Sequence, residues 1–228
     1  MAKRVAILQS NYIPWKGYFD LIRGVDEFIL FDNVQYTRQD WRNRNKIKTP
    51  NGTRWLTVPV HGRFGQTIEE TIVSNPIWAR THWQVISHNY RAAPFLSRYR
   101  EVFEPAYLDC AEDHLSQINL RFLKIICGLL DIQTKISWST EYTLIEGKTS
   151  RLVSLCQQAG ATEYLSGPAA RDYIEPEQFE AAGIALRYVD YSGYPEYPQL
   201  FPPFDHAVTI LDLLFNTGPD ALRYMKVR

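Results

Sequence analysis

The sequence has no excess of charge of either sign. Its 25 Lys and Arg residues balance 25 Asp and Glu residues, and the pI is near 7.0. Proteins that bind nucleic acid or anionic membranes through bulk charge carry a basic patch or stripe. We therefore expect no bulk binding to nucleic acid.

Cysteines are few, and long apolar segments are missing. Three cysteines without a C-x-x-C pair favour a reducing compartment over a disulfide scaffold. The first ten residues, "MAKRVAILQS", lack the apolar run and cleavage site of a signal peptide. The longest apolar run, "IICGLLDI", is too short to cross a bilayer. These absences predict a cytoplasmic protein that does not insert into a membrane.

The common catalytic signatures are missing as well. There is no P-loop, no G-x-G-x-x-G and no G-x-S-x-G, and the five histidines are scattered without metal-ligand spacing. We therefore predict no metal site. Cys127 and Cys156 lie on apolar helix faces, where inert core thiols are the rule. His61 and His206 remain candidate bases.

Aromatic residues, in contrast, are plentiful. The chain has 14 Tyr, 11 Phe and 6 Trp, which make up 14% of its residues. Many of them lie in polar segments rather than in apolar runs. This distribution favours a binding surface for a flat or sugar-like ligand.

The order of the elements predicts an α/β fold. A short apolar strand, "RVAIL", a helix containing "WKGYFDLIRG" and a second strand, "DEFILFD", form a βαβ unit, which implies a parallel pair of strands. "NKIKTPNGTRWLTVPV" predicts a hairpin that turns at Pro50-Asn51-Gly52, and "TIEETIVS" is a candidate short strand. We expect a mostly parallel sheet with helices on both faces, in one domain spanning residues 1–228.

Helical periodicity dominates the middle of the chain, at about residues 78–131. The third helix there is expected to begin on an Asp cap and to bury a stripe of apolar residues: Leu115, Ile118, Phe122, Ile126 and Leu129. We interpret this part as a helical insertion. Alternating strands and helices follow, ending in a helix within "HAVTILDLLFNTG".

Two loops are expected to form a site, since ligands of open parallel sheets bind beyond the carboxyl ends of the strands. The first, residues 9–20, offers amides at Gln9 and Asn11, rings at Tyr12 and Trp15, and a close backbone approach at Gly17. In the second, residues 32–46, an aspartate directly follows the predicted strand, and a tryptophan lies among basic and amide residues. The residues concerned are Asp32, Trp41, Arg42, Asn43 and Arg44.

This pattern is consistent with a pocket for an anionic ligand that carries a ring. The alternatives are that Trp15 and Tyr18 belong to the core, and that "RNRNKIK" is a solvated hairpin edge.

Two later segments add candidates. Asp205, Thr209, Asp212 and Asn216 fall on one stripe of the last predicted helix, which indicates a pocket wall or an ordinary amphipathic helix. Ser166 and Gly167 follow an apolar segment and either stabilise an oxyanion or form a structural turn.

Several motifs together resemble the WbqC-like family over nearly the whole chain. They are "QSNYIPWKGYFDLI", "DEFILFDNVQYTRQDWRNRNKIKTPNGTRWLTVPV", "YLSGPAARDY" and "ILDLLFNTG". The resemblance implies a role in O-antigen or other surface-polysaccharide biosynthesis, where transfer of glycine to an amino sugar is one suggested activity. Thr209 stands where the family tends to have serine, so a hydroxyl is retained.

The resemblance also marks a set of family-typical positions. They are Gln9, Tyr12, Pro14, Trp15, Gly17, Asp20, Asp32, Gln35, Trp41, Arg42, Asn43, Arg44, Ser166, Gly167, Asp212 and Asn216. A weaker likeness links "WKGY" to the H-x-G-H motif of nucleotidyltransferases, with the glycine kept and both histidines lost.

These observations lead to a first hypothesis, an acyl- or aminoacyltransferase acting on an amino sugar or nucleotide-linked amino sugar. Its catalytic residues would be Asp32, Asp212 and Ser166. Its substrate-binding residues would be Gln9, Asn11, Tyr12, Trp15, Gly17, Gln35, Trp41, Arg42, Asn43, Arg44, Gly167, Thr209 and Asn216.

No tightly bound cofactor is expected. The activated donor would be a carrier-protein phosphopantetheine thioester, an aminoacyl-tRNA or an acyl-adenylate, and an acyl carrier protein is a candidate partner. The alternatives are a nucleotidyltransferase or ATP-dependent ligase, and a non-catalytic protein that binds a glycan or a carrier.

Overall fold

The structure, a computed structural model, describes residues 2–226 of the 228-residue chain. Its strands are β1 Arg4–Leu8, β2 Glu27–Leu30, β3 Arg44–Thr49, β4 Gly52–Thr57, β5 Lys135–Trp138, β6 Glu163–Ser166 and β7 Ala185–Tyr188. Its α-helices are α1 Lys16–Arg23, α2 Trp78–Asn89, α3 Leu96–Leu108, α4 Leu115–Leu129, α5 Thr149–Gln158, α6 Pro176–Ala181 and α7 Ile210–Thr217. Short 3₁₀ helices span Ser139–Glu141, Pro168–Asp172 and Gly218–Tyr224.

Five strands form a parallel sheet in the order β5-β2-β1-β6-β7. The predicted βαβ unit is confirmed, because β1 and β2 pair in parallel from Val5 opposite Glu27 to Leu8 opposite Leu30. The chain adds β2 and β5 on one side of β1, and β6 and β7 on the other. The carboxyl ends of β1 and β6 therefore flank the topological switch point, where α/β sheets bind ligands.

Helices cover both faces of the sheet, as predicted. Alternate residues of a strand point to opposite faces, and here Ala6 contacts one core while Val5 and Ile7 contact the other. The first core contains α1, α2, α3, α4 and α7, and the second contains α5 and α6. We refer to these as the large core and the small core.

The predicted hairpin is also present. β3 and β4 pair in antiparallel register from Arg44 opposite Thr57 to Thr49 opposite Gly52. Gly52 has φ = +99°, a conformation that other residues adopt only with strain. The turn residues therefore fixed the hairpin locally.

Helices α2, α3 and α4 lie between β4 and β5, where helical periodicity predicted them. Four of the five predicted stripe residues of α4 are fully buried: Leu115, Ile118, Phe122 and Ile126. The predicted Asp cap is wrong, because the N-cap residue is His114 and its side chain makes no capping bond. "TIEETIVS" forms only isolated bridges, such as Val60 with Val73, rather than a strand.

Helix α7 is shorter than predicted. It begins at Ile210, so Thr209 is its N-cap and Asp205 lies outside it. The expected stripe therefore reduces to Asp212 and Asn216, because the preceding residues are held by contacts with β3 and the first loop. The amide of Thr209, for example, donates to the carbonyl of Lys46 at 2.9 Å.

Candidate functional site

The two loops predicted to form the site are joined. The amide of Tyr12 donates to the carbonyl of Trp41 at 3.0 Å, and the amide of Ser10 donates to Asp32 Oδ1 at 2.7 Å. The segment before α7 joins them, since the amide of Ile210 donates to the carbonyl of Pro14 at 2.9 Å. Residues far apart in sequence therefore surround one space.

That space is a cavity of about 260 Å³, which we call the tryptophan cavity. Its lining residues are Asn11, Pro14, Trp15, Trp41, Asn45, His206 and Ala207. Two indole rings and a few polar groups form its walls, and this combination suits a ring that carries hydroxyl or amine groups.

A strained residue shapes the floor of the first loop. Ile13 is fully buried and has φ = +36°, which is rare for a β-branched residue. Its carbonyl accepts from Asn45 Nδ2 at 2.9 Å and from Thr209 Oγ1 at 2.7 Å. These bonds from β3 and from the start of α7 hold the loop in this conformation.

Arg42 ties the loop together from the other side. Its guanidinium donates to Asn11 Oδ1 and, at 2.7 Å, to Gln9 Oε1, and it lies 3.6 Å from Asp40 Oδ2. Its Nε is buried without a partner. We call the group Gln9, Arg42 and Asn11 the arginine bridge. The two amide oxygens are occupied by Arg42, which leaves their NH₂ groups for a ligand.

His206 is the ionisable residue that lines the tryptophan cavity. Its ring lies 4.6 Å from the ring of Phe204, and its Nδ1 is buried without a hydrogen-bond partner. Burial, together with the nearby positive charge of Lys16, lowers the pKa of His206 from its ordinary value near 6.5. The imidazole is therefore neutral at pH 7 and able to accept a proton.

Lys16 is buried next to this cavity. Its Nζ donates to the carbonyl of Pro195 at 3.1 Å and lies 4.9 Å from the ring centre of Tyr194. Burial lowers its pKa to about 8, although the negative charges of Asp20 and Asp212 oppose this shift. A buried position for this lysine was not predicted from the sequence, because its contact with Pro195 joins segments far apart in the chain.

Comparison with known proteins identifies a family for this chain. The model of the WbqC-like protein family matches residues 9–224, a range that includes the arginine bridge, the tryptophan cavity and α7. The chain belongs to this family.

The chain is also similar to the uncharacterized protein Rv1507c of Mycobacterium tuberculosis (strain ATCC 25618 / H37Rv). It is 51% identical over 229 residues, which cover 98% of this chain and 99% of the relative. No solved structure matches the chain.

Two of the family-typical positions, Tyr12 and Gly17, make close contacts within the protein. Tyr12 is fully buried, and its hydroxyl lies 2.8 Å from His82 Nδ1 and 2.9 Å from the Tyr107 hydroxyl, so its ring is inside the large core. A Cβ at Gly17 would lie less than 3.0 Å from the indole of Trp15. The glycine thus admits the Trp15 ring, and this ring covers the helix start where we expected a ligand.

The two candidate catalytic aspartates are both fully buried. Asp32 accepts from the amide of Ser10 and from Ser116 Oγ, both at 2.7 Å, which ties the segment after β2 to the first loop and to α4. Asp212 accepts from Tyr90 and Tyr197 hydroxyls at 2.7 Å and from Gln199 at 2.8 Å. Burial raises the pKa of both carboxyls, against the effect of these donors. Neither lines the tryptophan cavity, and their catalytic role stays a prediction.

The remaining predicted residues are dispersed. Ser166 ends β6 with its Oγ 3.4 Å from the Tyr164 hydroxyl, and Gly167 follows it; neither lines the tryptophan cavity. Asn43 and Asn216 donate to backbone carbonyls, of Val58 at 2.9 Å and of Asp212 at 2.8 Å. The guanidinium carbon of Arg44 lies 4.1 Å from the ring centre of Trp55, and Gln35 forms an isolated antiparallel β-bridge with Thr67. For these residues a substrate-binding role stays a prediction.

Nucleophilic thiols are not part of this site. Burial raises the pKa of Cys127 and Cys156 to about 12, so both thiols are protonated at neutral pH. Within residues 2–226 no group of His, Cys, Asp and Glu is arranged to hold a metal ion. In the same range, none of the helices has the length and apolar character needed to span a bilayer.

Proposed function

We propose that this protein is a transferase that places an acyl or aminoacyl group, with glycyl as one candidate, on the amine of an amino sugar. The acceptor would be an amino sugar, free or linked to a nucleotide, that is used to build surface polysaccharide. The reaction would take place in the cytoplasm. Membership of the WbqC-like family supports the class of pathway, and the tryptophan cavity supports the choice of acceptor.

One observation carries the proposal. His206, a neutral imidazole, lines a cavity between two tryptophans. Indole faces bind the apolar face of a sugar, and the NH₂ group of Asn11, whose oxygen accepts from Arg42, matches its hydroxyls. An amine held there would lie beside a group that accepts its proton.

The proposed reaction forms one C–N bond and releases the leaving group of the donor. The lone pair of the sugar amine attacks the carbonyl carbon of the activated donor, and a C–N bond forms. His206 accepts one proton from the amine, and the bond between the carbonyl and the leaving group of the donor breaks. The donor can be a thioester, an aminoacyl ester or an acyl-adenylate, since each has a leaving group of this kind.

The contacts at the start of α1 favour nucleotidyl transfer less than acyl transfer. In an H-x-G-H site the phosphates lie against the first turn of this helix. Here the Trp15 indole occupies that position, and the Lys16 amine is directed to the carbonyl of Pro195. A phosphate at this place would have to displace both side chains.

The test is a kinetic comparison with His206→Asn. With amino-sugar nucleotides and activated glycine as substrates, the variant should lose about 100-fold or more in kcat, as expected for removal of a general base. The wild-type rate should fall as the pH drops through the pKa of His206, and this acid limb should be absent from the variant.

His88→Asn is the matched control, because His88 is an exposed histidine on α2 outside the cavity. It should keep the wild-type rate and pH profile. If His206→Asn changed only the affinity for the sugar nucleotide, and no turnover were found with any donor, the protein would be a binding protein and the transferase proposal would be wrong.

A further inference from the structure

A second, larger cavity lies at the switch point of the sheet. Its volume is about 630 Å³, and we call it the switch-point cavity. Its lining residues are Ile7, Leu8, Gln9, Phe31, Val34, Gly147, Lys148, Arg151, Leu152, Tyr164 and Tyr173. They come from the carboxyl ends of β1 and β2, from β6 and from the start of α5, so this cavity occupies the position where α/β sheets bind ligands.

The polar part of this cavity is positively charged. Lys148 and Arg151 line it, and none of the described residues in its wall is acidic. The side chain of Lys148 is exposed and forms no hydrogen bond or ion pair with residues 2–226. Arg151 is held in place, because its Nε donates to the carbonyl of Ile145 at 2.7 Å. Two cations without a carboxylate partner in the cavity wall favour an anionic ligand.

A third donor is Gln9, which lines the same cavity. Gln9 Oε1 accepts from Arg42, so the NH₂ group of Gln9 is directed away from the guanidinium. This NH₂ group makes no hydrogen bond with any described residue. Gln9 therefore adds a neutral donor to the wall that contains the two cations.

The rest of the wall is apolar and aromatic. Phe31 and Tyr173 are accessible, and Tyr173 is 53% exposed at the rim. Ile7, Leu8 and Leu152 add aliphatic surface. A bare inorganic anion would leave this surface unused, whereas an organic phosphate has a carbon skeleton that can cover it.

We propose that the switch-point cavity binds an organic phosphate, with its phosphate at Lys148 and Arg151 and its carbon skeleton against Phe31 and Tyr173. A nucleotide and a phosphopantetheine arm both have this chemistry. The two cavities share the arginine bridge, because Gln9 lines one and Asn11 the other. Assigning this cavity to the donor of the transfer reaction rests on the proposed function, while the binding itself does not.

The test is calorimetric titration of the full-length protein with ADP, 4′-phosphopantetheine and pyrophosphate. We expect ADP or 4′-phosphopantetheine to bind, and whichever binds identifies the source of the phosphate. Lys148→Gln should weaken this binding about tenfold or more, as for loss of a charged hydrogen bond. Tyr173→Ala should weaken binding of the organic phosphate more than that of pyrophosphate.

The matched control is Lys124→Gln, since Lys124 is an exposed lysine on α4, which packs in the large core on the other face of the sheet. It should leave binding unchanged, and so should His206→Asn. Three results would overturn the proposal: no binding of either organic phosphate, unchanged binding in Lys148→Gln, or a loss in His206→Asn as large as that in Lys148→Gln. If the protein fails the kinetic test of the transferase proposal, it can still bind an organic phosphate in this titration.

Discussion

At the scale of single residues, the first loop is held by side chains that satisfy buried backbone groups. Thr209 is 1% exposed; its Oγ1 donates to the carbonyl of Ile13 at 2.7 Å and accepts from the amide of Leu211 at 3.3 Å. One hydroxyl therefore stabilises both a strained residue and the start of α7.

Thr209→Val should lower the free energy of unfolding by about 1–3 kcal/mol, since it removes a helix cap and a buried hydrogen bond while keeping the shape. Urea unfolding gives this value. Thr209→Ser keeps the hydroxyl and should lose less. Equal stability of Thr209→Val and the wild type would show that the hydroxyl does not support the loop.

Gly17 offers a second test at this scale. Gly17→Ala should destabilise the protein by about 1–3 kcal/mol, because the added methyl group meets the Trp15 indole. In a Trp15→Ala background the same change should be neutral or stabilising, since alanine is the better helix former. Unfolding curves of the four proteins measure the coupling, and additive effects would contradict this role of the glycine.

At the scale of elements, a buried carboxylate connects β2 to β5 and to the residue before β1. Glu27, the first residue of β2, is fully buried and forms ion pairs with Lys3 at 2.7 Å and with Lys135 of β5 at 2.9 Å. It also accepts from Ser137 Oγ at 2.7 Å and from the Tyr142 hydroxyl. Burial alone would raise its pKa, but these donors together lower it to about 2.

Because the pKa of Glu27 is lower in the folded state than its ordinary value of about 4.5, its ionisation stabilises the fold above that pH. This contribution is lost as the pH falls from about 4.5 to about 2. Glu27→Gln should therefore be less stable than the wild type at pH 7, and the difference should shrink over that window. Urea unfolding at several pH values measures it. A difference independent of pH would contradict the assigned pKa.

At the scale of the whole molecule, one sheet separates two hydrophobic cores. Cys127 lies in the large core and Cys156 in the small core. Both are buried, while Cys110 is less so. Since the strands of the sheet contribute to both cores, we expect the two to unfold together, as the predicted single domain requires.

Thiol labelling in a Cys110→Ser background tests this expectation. Cys127 and Cys156 should resist a thiol reagent in native buffer and should become reactive at the same urea concentration. Mass spectrometry of the labelled peptides distinguishes them. Two separate transitions would show that the cores are independent units and would contradict the single-domain prediction.

Sequence patterns were most informative where the cause is local. The βαβ opening, the hairpin at Pro50-Asn51-Gly52 and the buried stripe of α4 follow from periodicity and turn chemistry, and the structure confirms them. The start of α7 was missed, because contacts with β3 and the first loop hold Thr209 outside the helix. No local pattern contains those contacts.

For the site, the sequence by itself determined the family, the alternation of strands and helices, and the two loops that meet beyond β1 and β2. Only the tertiary structure decided which of their polar and aromatic residues line a cavity. Tyr12, Asp32 and Asp212 are inside the molecule, while His206 is brought beside Trp15. The physical reason is that exposure and partners depend on packing between segments nearly two hundred residues apart, which short-range sequence patterns do not describe.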